Sequence, residues 1–179
     1  VVIILDRDGV INVDSADYVK SADEWHPIDG SIEAIARLSK SGYRIAIATN
    51  QSGVGRGYYT LAELHAMHEK MCALVAEQGG SISHIAYCPH HPDEGCECRK
   101  PKPGLLREIG SALGIADFSS VTMVGDSLKD LQAAQSVGCR AALVKTGNGM
   151  TTLSELDDAG LSDISVYDNL ADFVNHILK

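Results

Sequence analysis

Residues 1–10 read VVIILDRDGV, five aliphatic residues that run straight into Asp6-Arg7-Asp8-Gly9. The run Val1–Leu5 is nearly all β-branched, and such side chains suit an extended, pleated backbone better than a helix. It shows no polar alternation, the pattern of a strand covered on both faces. The abrupt switch to two carboxylates and an arginine marks the end of the strand. A buried strand that stops at paired acids sets how the rest of the chain is read.

Short apolar runs continue to alternate with amphipathic stretches, the βαβ signature of a parallel sheet with helices on both faces. Ile32, Ile35 and Ala36 mark a helix closed by Gly42, followed by a strand at Arg44–Ala48. Thr60 with Glu63 three positions on forms a capping box, opening a helix with Leu64, Met67, Met71, Leu74 and Val75 on one face. A third strand is expected at His84–Tyr87. Leu105, Leu106, Ile109 and Leu113 form a helix stopped by Gly114, and Val121–Val124 reads as a strand. Leu128, Leu131 and Ala134 begin a helix ending at Gly138, before a strand at Ala141–Lys145. A strand near Ile164–Tyr167 and a helix bearing Leu170, Phe173, Val174 and Ile177 close the chain. Nothing reads as an interdomain linker, so residues 1–179 are expected to form a single domain. The irregular segments Arg7–Asp29 and Cys88–Pro103 then read as functional loops.

In an open parallel sheet, ligands bind beyond the carboxyl ends of the strands, where strand order reverses. Three expected strands end in polar groups: Asp6-Arg7-Asp8-Gly9, Thr49-Asn50-Gln51-Ser52-Gly53, and Gly125-Asp126-Ser127-Leu128-Lys129-Asp130. Each alone has a plain structural reading, since Asp-x-Asp occurs in loops and Gly-Asp before a helix is a common N-cap. Together they converge on one spot. Carboxylates crowded there repel one another unless a hard cation lies between them, and Mg²⁺ favours a few carboxylates, waters and a substrate phosphate.

Cys88, His90, Cys96 and Cys98 form a C-x-H…C-x-C set in a loop rich in Pro and Gly, with His91 as an alternative ligand. Four soft or borderline ligands suit a tetrahedral, closed and therefore structural Zn²⁺ site. Unrelated thiols and a redox centre are the competing readings; a catalytic zinc would need an open position. A metal clip would order a loop that has almost no apolar residues, and it leads directly into Arg99-Lys100. Cys72 and Cys139 read as plain core residues.

Asp6-Arg7-Asp8-Gly9-Val10, Thr49, the lysine of Arg99-Lys100-Pro101 and Gly125-Asp126-x-x-x-Asp130 resemble, in order and spacing, the four motifs of the haloacid-dehalogenase-like phosphatases. The resemblance covers Asp6 to Asp130 and implies a Rossmann-like, doubly wound α/β fold whose central strand carries the nucleophile. It implies that Asp6 attacks phosphorus and Asp8 is the general acid and base. Thr49 and Lys100 would stabilise the phosphoryl group. Mg²⁺ would be held by Asp6, the Asp8 carbonyl and Asp126, with Asp130 behind them. The C-x-H…C-x-C-R-K-P-x-P-G pattern resembles a group without a large cap domain whose substrates are a heptose bisphosphate, on the route to lipopolysaccharide, or histidinol phosphate. Asp6-Arg7-Asp8-Gly9-Val10-Ile11-Asn12, Thr49-Asn50-Gln51-Ser52-Gly53 and Arg56-Gly57 favour the bisphosphate. Asn50, Gln51, Ser52, Arg56 and Arg99 are then candidate substrate contacts, with Asp14 and Tyr18 toward the sugar. The chain departs from that group at Asp17, where glycine is common, and at Ser127, where some members have lysine.

Charge agrees with a small phosphorylated ligand. Fifteen basic residues against 24 acidic ones give a net charge of −9, which disfavours nucleic acid and anionic membranes. No acid interrupts the segments carrying Arg56, or Arg99, Lys100 and Lys102. Histidinol phosphate, with its cationic amine, would want the opposite. The longest aliphatic run is too short to span a bilayer and no signal peptide is visible, so a cytoplasmic monomer is expected. The rival from another class is a zinc-clipped binding protein on an inactive scaffold, disfavoured because every reacting residue is present.

Overall fold

The computed structural model describes residues 1–179 and places β1 (Val2–Leu5) inside a six-stranded sheet. β1 pairs in parallel with β2 (Arg44–Asn50) on one side and with β4 (Thr122–Gly125) on the other. Outward lie β3 (His84–Cys88) beside β2, and β5 (Arg140–Val144) then β6 (Ser165–Tyr167) beside β4. The order β3-β2-β1-β4-β5-β6 is that of a doubly wound sheet, and every pairing is parallel. Strand order reverses between β1 and β4, so their carboxyl ends frame the crevice where such sheets bind ligands.

The unbroken apolar run of β1 is explained by the two cores it separates. Ile3 and Leu5 face a cluster built with α1 (Ser31–Lys40), α3 (Leu61–Glu77) and α7 (Leu170–Ile177). Val2 and Ile4 face the other cluster, with α4 (Gly104–Leu113) and α5 (Leu128–Ser136). Side chains alternate across a strand, so a strand covered on both sides must be apolar at each position. The Thr60–Glu63 capping box starts α3, and Gly114 ends α4 in the left-handed conformation with φ 67°.

Several boundaries and elements differ from expectation. β2 runs to Asn50 because Thr49 and Asn50 go on pairing with Tyr87 and Cys88. Two short helices, α2 (Ser52–Gly55) and α6 (Gly149–Glu155), escape the apolar periodicity because each is glycine- or threonine-rich and buries few apolar side chains. Cys72, expected in the core, is only half-buried on α3, whereas Cys139 is buried in the α4–α5 cluster.

The segment after β1 contains no regular strand or helix until α1, yet it is packed. Val10, Ile11 and Trp25 are fully buried and Val19 nearly so, all within the β1–α1–α3 cluster. Lys70 of α3 donates to the carbonyls of Ala22 and Trp25 at 2.7 and 2.6 Å and lies over the indole. The loop is thus fastened to the core by its own side chains. Trp25→Ala is expected to lower the free energy of unfolding by about 3–5 kcal/mol. Urea denaturation measures this, and a loss below about 1 kcal/mol would show that the loop is not part of the core.

Candidate active site

A cavity of ≈ 610 Å³ opens at the carboxyl ends of β1 and β4, lined by Asp6, Asp8, Lys100, Asp126 and Asp130 among others. Lys100 organises its floor. The residue is 2% exposed, and its ammonium donates to Asp6 Oδ1 at 2.9 Å, Asp130 Oδ1 at 2.6 Å and the Ala48 carbonyl at 2.6 Å. All three N–H groups are used. Burial works against the charge, but Asp130 and Asp6 outweigh it and hold the lysine well above its usual range. Asn50 fixes the same residue through its main chain, donating to the Lys100 carbonyl and accepting from its N–H.

The acidic cluster sorts itself by hydrogen bonding. Ligand atoms of Asp6, Asp126 and Asp130 all lie within 4.8 Å of one another. Asp130 is saturated: Oδ1 takes Lys100, and Oδ2 takes the main-chain N–H groups of Asp126 and Ser127 and the Ser127 hydroxyl. Asp6 uses only Oδ1, and Asp126 only Oδ2, which accepts from the Asn148 N–H at 2.8 Å. One oxygen of each therefore remains uncommitted, and the Asp8 carbonyl also accepts no hydrogen bond within the chain. Burial, then repulsion from Asp130, push the Asp6 carboxyl well up and raise Asp126 to about 7. Two buried carboxylates with free oxygens and raised proton affinity fit a hard divalent cation, which replaces the proton.

Asp8, two residues beyond Asp6, faces other neighbours. Its Oδ1 accepts from Arg7 Nη2 at 2.8 Å and Asn12 Nδ2 at 2.9 Å, and Oδ2 accepts from Gln51 Nε2 at 2.7 Å. Burial opposes its charge, but the Arg7 guanidinium and these hydrogen bonds hold it below the ordinary range. Arg7 is fully buried, and its Nη1 meets His68 Nε2 of α3 at 3.3 Å. Because arginine only donates, the His68 proton sits on Nδ1. Gln51 also donates to Thr49 Oγ1 at 2.8 Å and accepts from the Tyr59 hydroxyl at 2.5 Å. The Thr49 hydroxyl hydrogen is left to donate, although the side chain lies fully buried beneath the floor.

The expected substrate contacts divide. Asp14, Tyr18, Asn50, Gln51, Ser52 and Arg99 line the cavity. The amides of Asn50 and Gln51 are committed to Lys100 and Asp8, so they brace the reacting groups. Arg56 does not reach the wall; its Nε donates to Ser52 Oγ at 3.3 Å. Tyr18 has φ 66°, a left-handed conformation unusual for a non-glycine residue, at the cavity edge. The sequence reading missed Thr146-Gly147-Asn148 after β5, where Thr146 donates to the Gly9 carbonyl and Asn148 holds Asp126. A Cβ on Gly147 would lie 2.2 Å from Asp126 Oδ2, so only glycine lets this loop approach. Nothing in the local pattern signals it.

Cys88, His90, Cys96 and Cys98 converge beside the site. Cys88 Sγ lies 3.5 Å from His90 Nδ1 and 3.6 Å from Cys96 Sγ, and His90 Nδ1 lies 3.2 Å from Cys98 Sγ. A tetrahedron with metal–sulfur bonds of ~2.3 Å has edges of ~3.8 Å, so the set fits zinc. His91 is engaged elsewhere, its Nδ1 accepting from the Asp93 N–H.

A doubly wound sheet with paired carboxylates at the end of a central strand, a buried lysine and a cluster of acids that could hold a metal has the frame of a phosphoryl-transfer hydrolase. Residues 97–173 match a family model described as HAD-hydrolase-like. The chain is 56% identical to D-glycero-beta-D-manno-heptose-1,7-bisphosphate 7-phosphatase of Pseudomonas aeruginosa, over 99% of this chain and 97% of that one. It is 50% identical to the protein of the same name from Neisseria meningitidis, over 99% and 94% respectively. The crystal structure of D,D-heptose 1,7-bisphosphate phosphatase from B. bronchiseptica, complexed with magnesium and phosphate, superposes with a TM-score of 0.93. That chain is 48% identical, with 99% of this chain and 97% of that one covered. The chain belongs to the HAD-like phosphatase family.

His68 carries a pH prediction. Burial, and then the facing Arg7, depress it from 6.5 to about 3. The folded protein therefore leaves it neutral where the unfolded chain protonates it. Its contribution to stability is fully present above pH 6.5 and is lost as pH falls toward about 3. His68→Gln should flatten the stability–pH slope in that window by up to about 1.4 kcal/mol per pH unit. Denaturant midpoints at stepped pH measure the difference, and parallel curves for the two proteins would contradict it.

Proposed function

We propose that the chain is a phosphatase that removes the C7 phosphate of D-glycero-β-D-manno-heptose 1,7-bisphosphate. The observation that carries the phosphatase chemistry is the split between two carboxylates on one strand end: Asp6 set against Lys100, Asp8 against Arg7. The heptose rests on relatives of that name at 50–56% identity over nearly the whole chain. The whole chain works as one catalytic domain, acting as a cytoplasmic monomer on a small phosphorylated sugar.

In this reading the Asp6 carboxylate attacks phosphorus, the bond from phosphorus to O7 breaks, and an aspartyl phosphate forms on Asp6. Asp8 gives a proton to the departing O7 and later takes one from the water that hydrolyses the acyl phosphate. Resting Asp8 is ionised; the arriving phosphate dianion raises its proton affinity by like-charge repulsion, and Asp8 takes from solvent water the proton that it then passes to O7. Lys100 offsets charge on the nucleophile and on the transferred group, while the Thr49 hydroxyl donates to a phosphoryl oxygen. Mg²⁺, held by Asp6, the Asp8 carbonyl and Asp126, would supply further neutralisation of the phosphoryl oxygens.

Zinc at Cys88, His90, Cys96 and Cys98 would be structural, because four protein ligands close the coordination sphere. The clip fixes the short segment that delivers Arg99 and Lys100 to the cavity.

Phosphate release from heptose 1,7-bisphosphate and from histidinol phosphate, each with and without Mg²⁺, tests the reading. The heptose should exceed histidinol phosphate in kcat/KM by at least about 100-fold, with turnover lost on chelation of Mg²⁺. Comparable efficiency on histidinol phosphate would overturn it. Asp6→Asn should reduce kcat by on the order of 10⁴-fold or more; retained turnover would exclude a covalent phosphoenzyme. Elemental analysis should find about one tightly held zinc per chain, lost with a lowered thermal midpoint in Cys98→Ser. A zinc-free protein of full activity would refute the clip.

A further inference from the structure

The Gln51 side chain is buried, and both of its N–H groups and its oxygen are engaged. The N–H groups go to Asp8 Oδ2 at 2.7 Å and to Thr49 Oγ1 at 2.8 Å, and Oε1 accepts from the buried Tyr59 hydroxyl. An amide carries donors at one end and an acceptor at the other, and turning it end for end here would set Oε1 against a carboxylate. Ionised Asp8 therefore draws the donor end toward itself, and the Tyr59 O–H holds the acceptor end in place. Burial pushes the Tyr59 hydroxyl up to about 12, so it keeps the proton that it donates. The ring reaches Gln51 by lying over Gly53, where a Cβ would collide with it.

The same hydrogen bonds decide which oxygen of Asp8 can carry a proton. A carboxylate offers about four acceptor sites, two on each oxygen. Both sites on Oδ1 are taken, by Arg7 and Asn12. On Oδ2 one site is taken by Gln51 and one is open, and Asp8 lines the catalytic cavity. A proton on Oδ1 would lie against an N–H of Arg7 or Asn12, whereas Oδ2 has a place for it. By filling one site of Oδ2, Gln51 also fixes the direction of the other.

We infer that Tyr59 is a positioning residue that, through Gln51, aims Oδ2 of Asp8, the oxygen that hands a proton to the leaving group, an inference that rests on the general-acid role proposed above. When the bond from phosphorus to O7 breaks, its electron pair stays on O7, the Oδ2 proton moves to O7, and Asp8 is left as a carboxylate. Tyr59 and Gln51 exchange no proton in this step. A departing alkoxide needs the proton, whereas nitrophenolate is a weak base and leaves without it. Loss of aim therefore slows alkyl esters selectively.

The test is the ratio of kcat/KM on heptose 1,7-bisphosphate to kcat/KM on p-nitrophenyl phosphate in wild type, Tyr59→Phe, Gln51→Met and the double variant. This parameter covers the phosphoenzyme-forming step, in which only the alkyl ester calls on the acid. In Tyr59→Phe the ratio should fall at least about tenfold. A general loosening of the site would lower both rates and leave the ratio where it was. Gln51→Met should lower the ratio at least as far, and adding Tyr59→Phe to it should lower it no further, because the tyrosine acts only through the amide. A ratio in Tyr59→Phe within about twofold of wild type, or losses that multiply in the double variant, would overturn the inference. Failure of the wild type to hydrolyse the heptose bisphosphate is a different result and sinks the substrate reading. The inference is then decided by the same ratio with fructose 1,6-bisphosphate as the alkyl ester.

Discussion

The site depends on one buried ammonium. Lys100 lies almost wholly out of water, and a lysine in that position keeps its proton only if acceptors replace the lost hydration. Asp6 comes from the end of β1, Ala48 from β2 and Asp130 from the first turn of α5, so one charge joins three elements. Removing any acceptor leaves a buried donor unmatched, which disfavours every arrangement but this one. The segment that carries Lys100 is therefore fixed at its far end by the lysine and, in the proposed reading, at its near end by zinc. Between those anchors it needs no hydrophobic core of its own.

The same constraint separates the two aspartates of Asp6-Arg7-Asp8. A continued strand would put residues two apart on one face, but β1 ends at Leu5 and the chain turns at Gly9 with φ 84°, so the two carboxylates meet different walls of the crevice. Burial and the carboxylates of Asp130 and Asp126 raise the proton affinity of Asp6 against the opposing pull of Lys100. Asp8 meets Arg7, Asn12 and Gln51, which keep it charged. Identical side chains two residues apart thus have their protons pulled in opposite directions, and in the proposed reading a bound cation ionises Asp6 while an arriving phosphate dianion lets Asp8 take up a proton. Arg7 does this from inside the core, braced by His68 on α3, so the packing of that helix reaches the reacting atoms.

Much of the frame was legible in advance. The continuous run of β1, the capping box at Thr60 and the stop at Gly114 are local signals whose outcome no tertiary contact had reason to override. Strand-end acids and the C-x-H…C-x-C spacing pointed to two separate clusters, and the fold does gather Asp6, Asp126 and Asp130 in one place and Cys88, His90, Cys96 and Cys98 in another. The helix at Gly149–Glu155 was not legible, since its buried Thr152 serves by hydrogen bonding to the Asp126 carbonyl and leaves no apolar stripe. The first loop read as irregular because its buried residues, Trp25 among them, follow no period. Asn50 and Gln51 looked like substrate contacts; only the pairing of their amides with Lys100 and Asp8 shows that they brace the site.

The sequence by itself determined the parallel α/β frame and the residue types needed for phosphoryl transfer, because both are written in local patterns of period, cap and spacing. Tertiary structure decided which oxygens are free for a cation and which cations are already paired. Those outcomes depend on residues tens of positions apart meeting within hydrogen-bond distance in a dry crevice. No local pattern encodes that distance, and at such range it settles whether a charge is neutralised or left to bind a ligand.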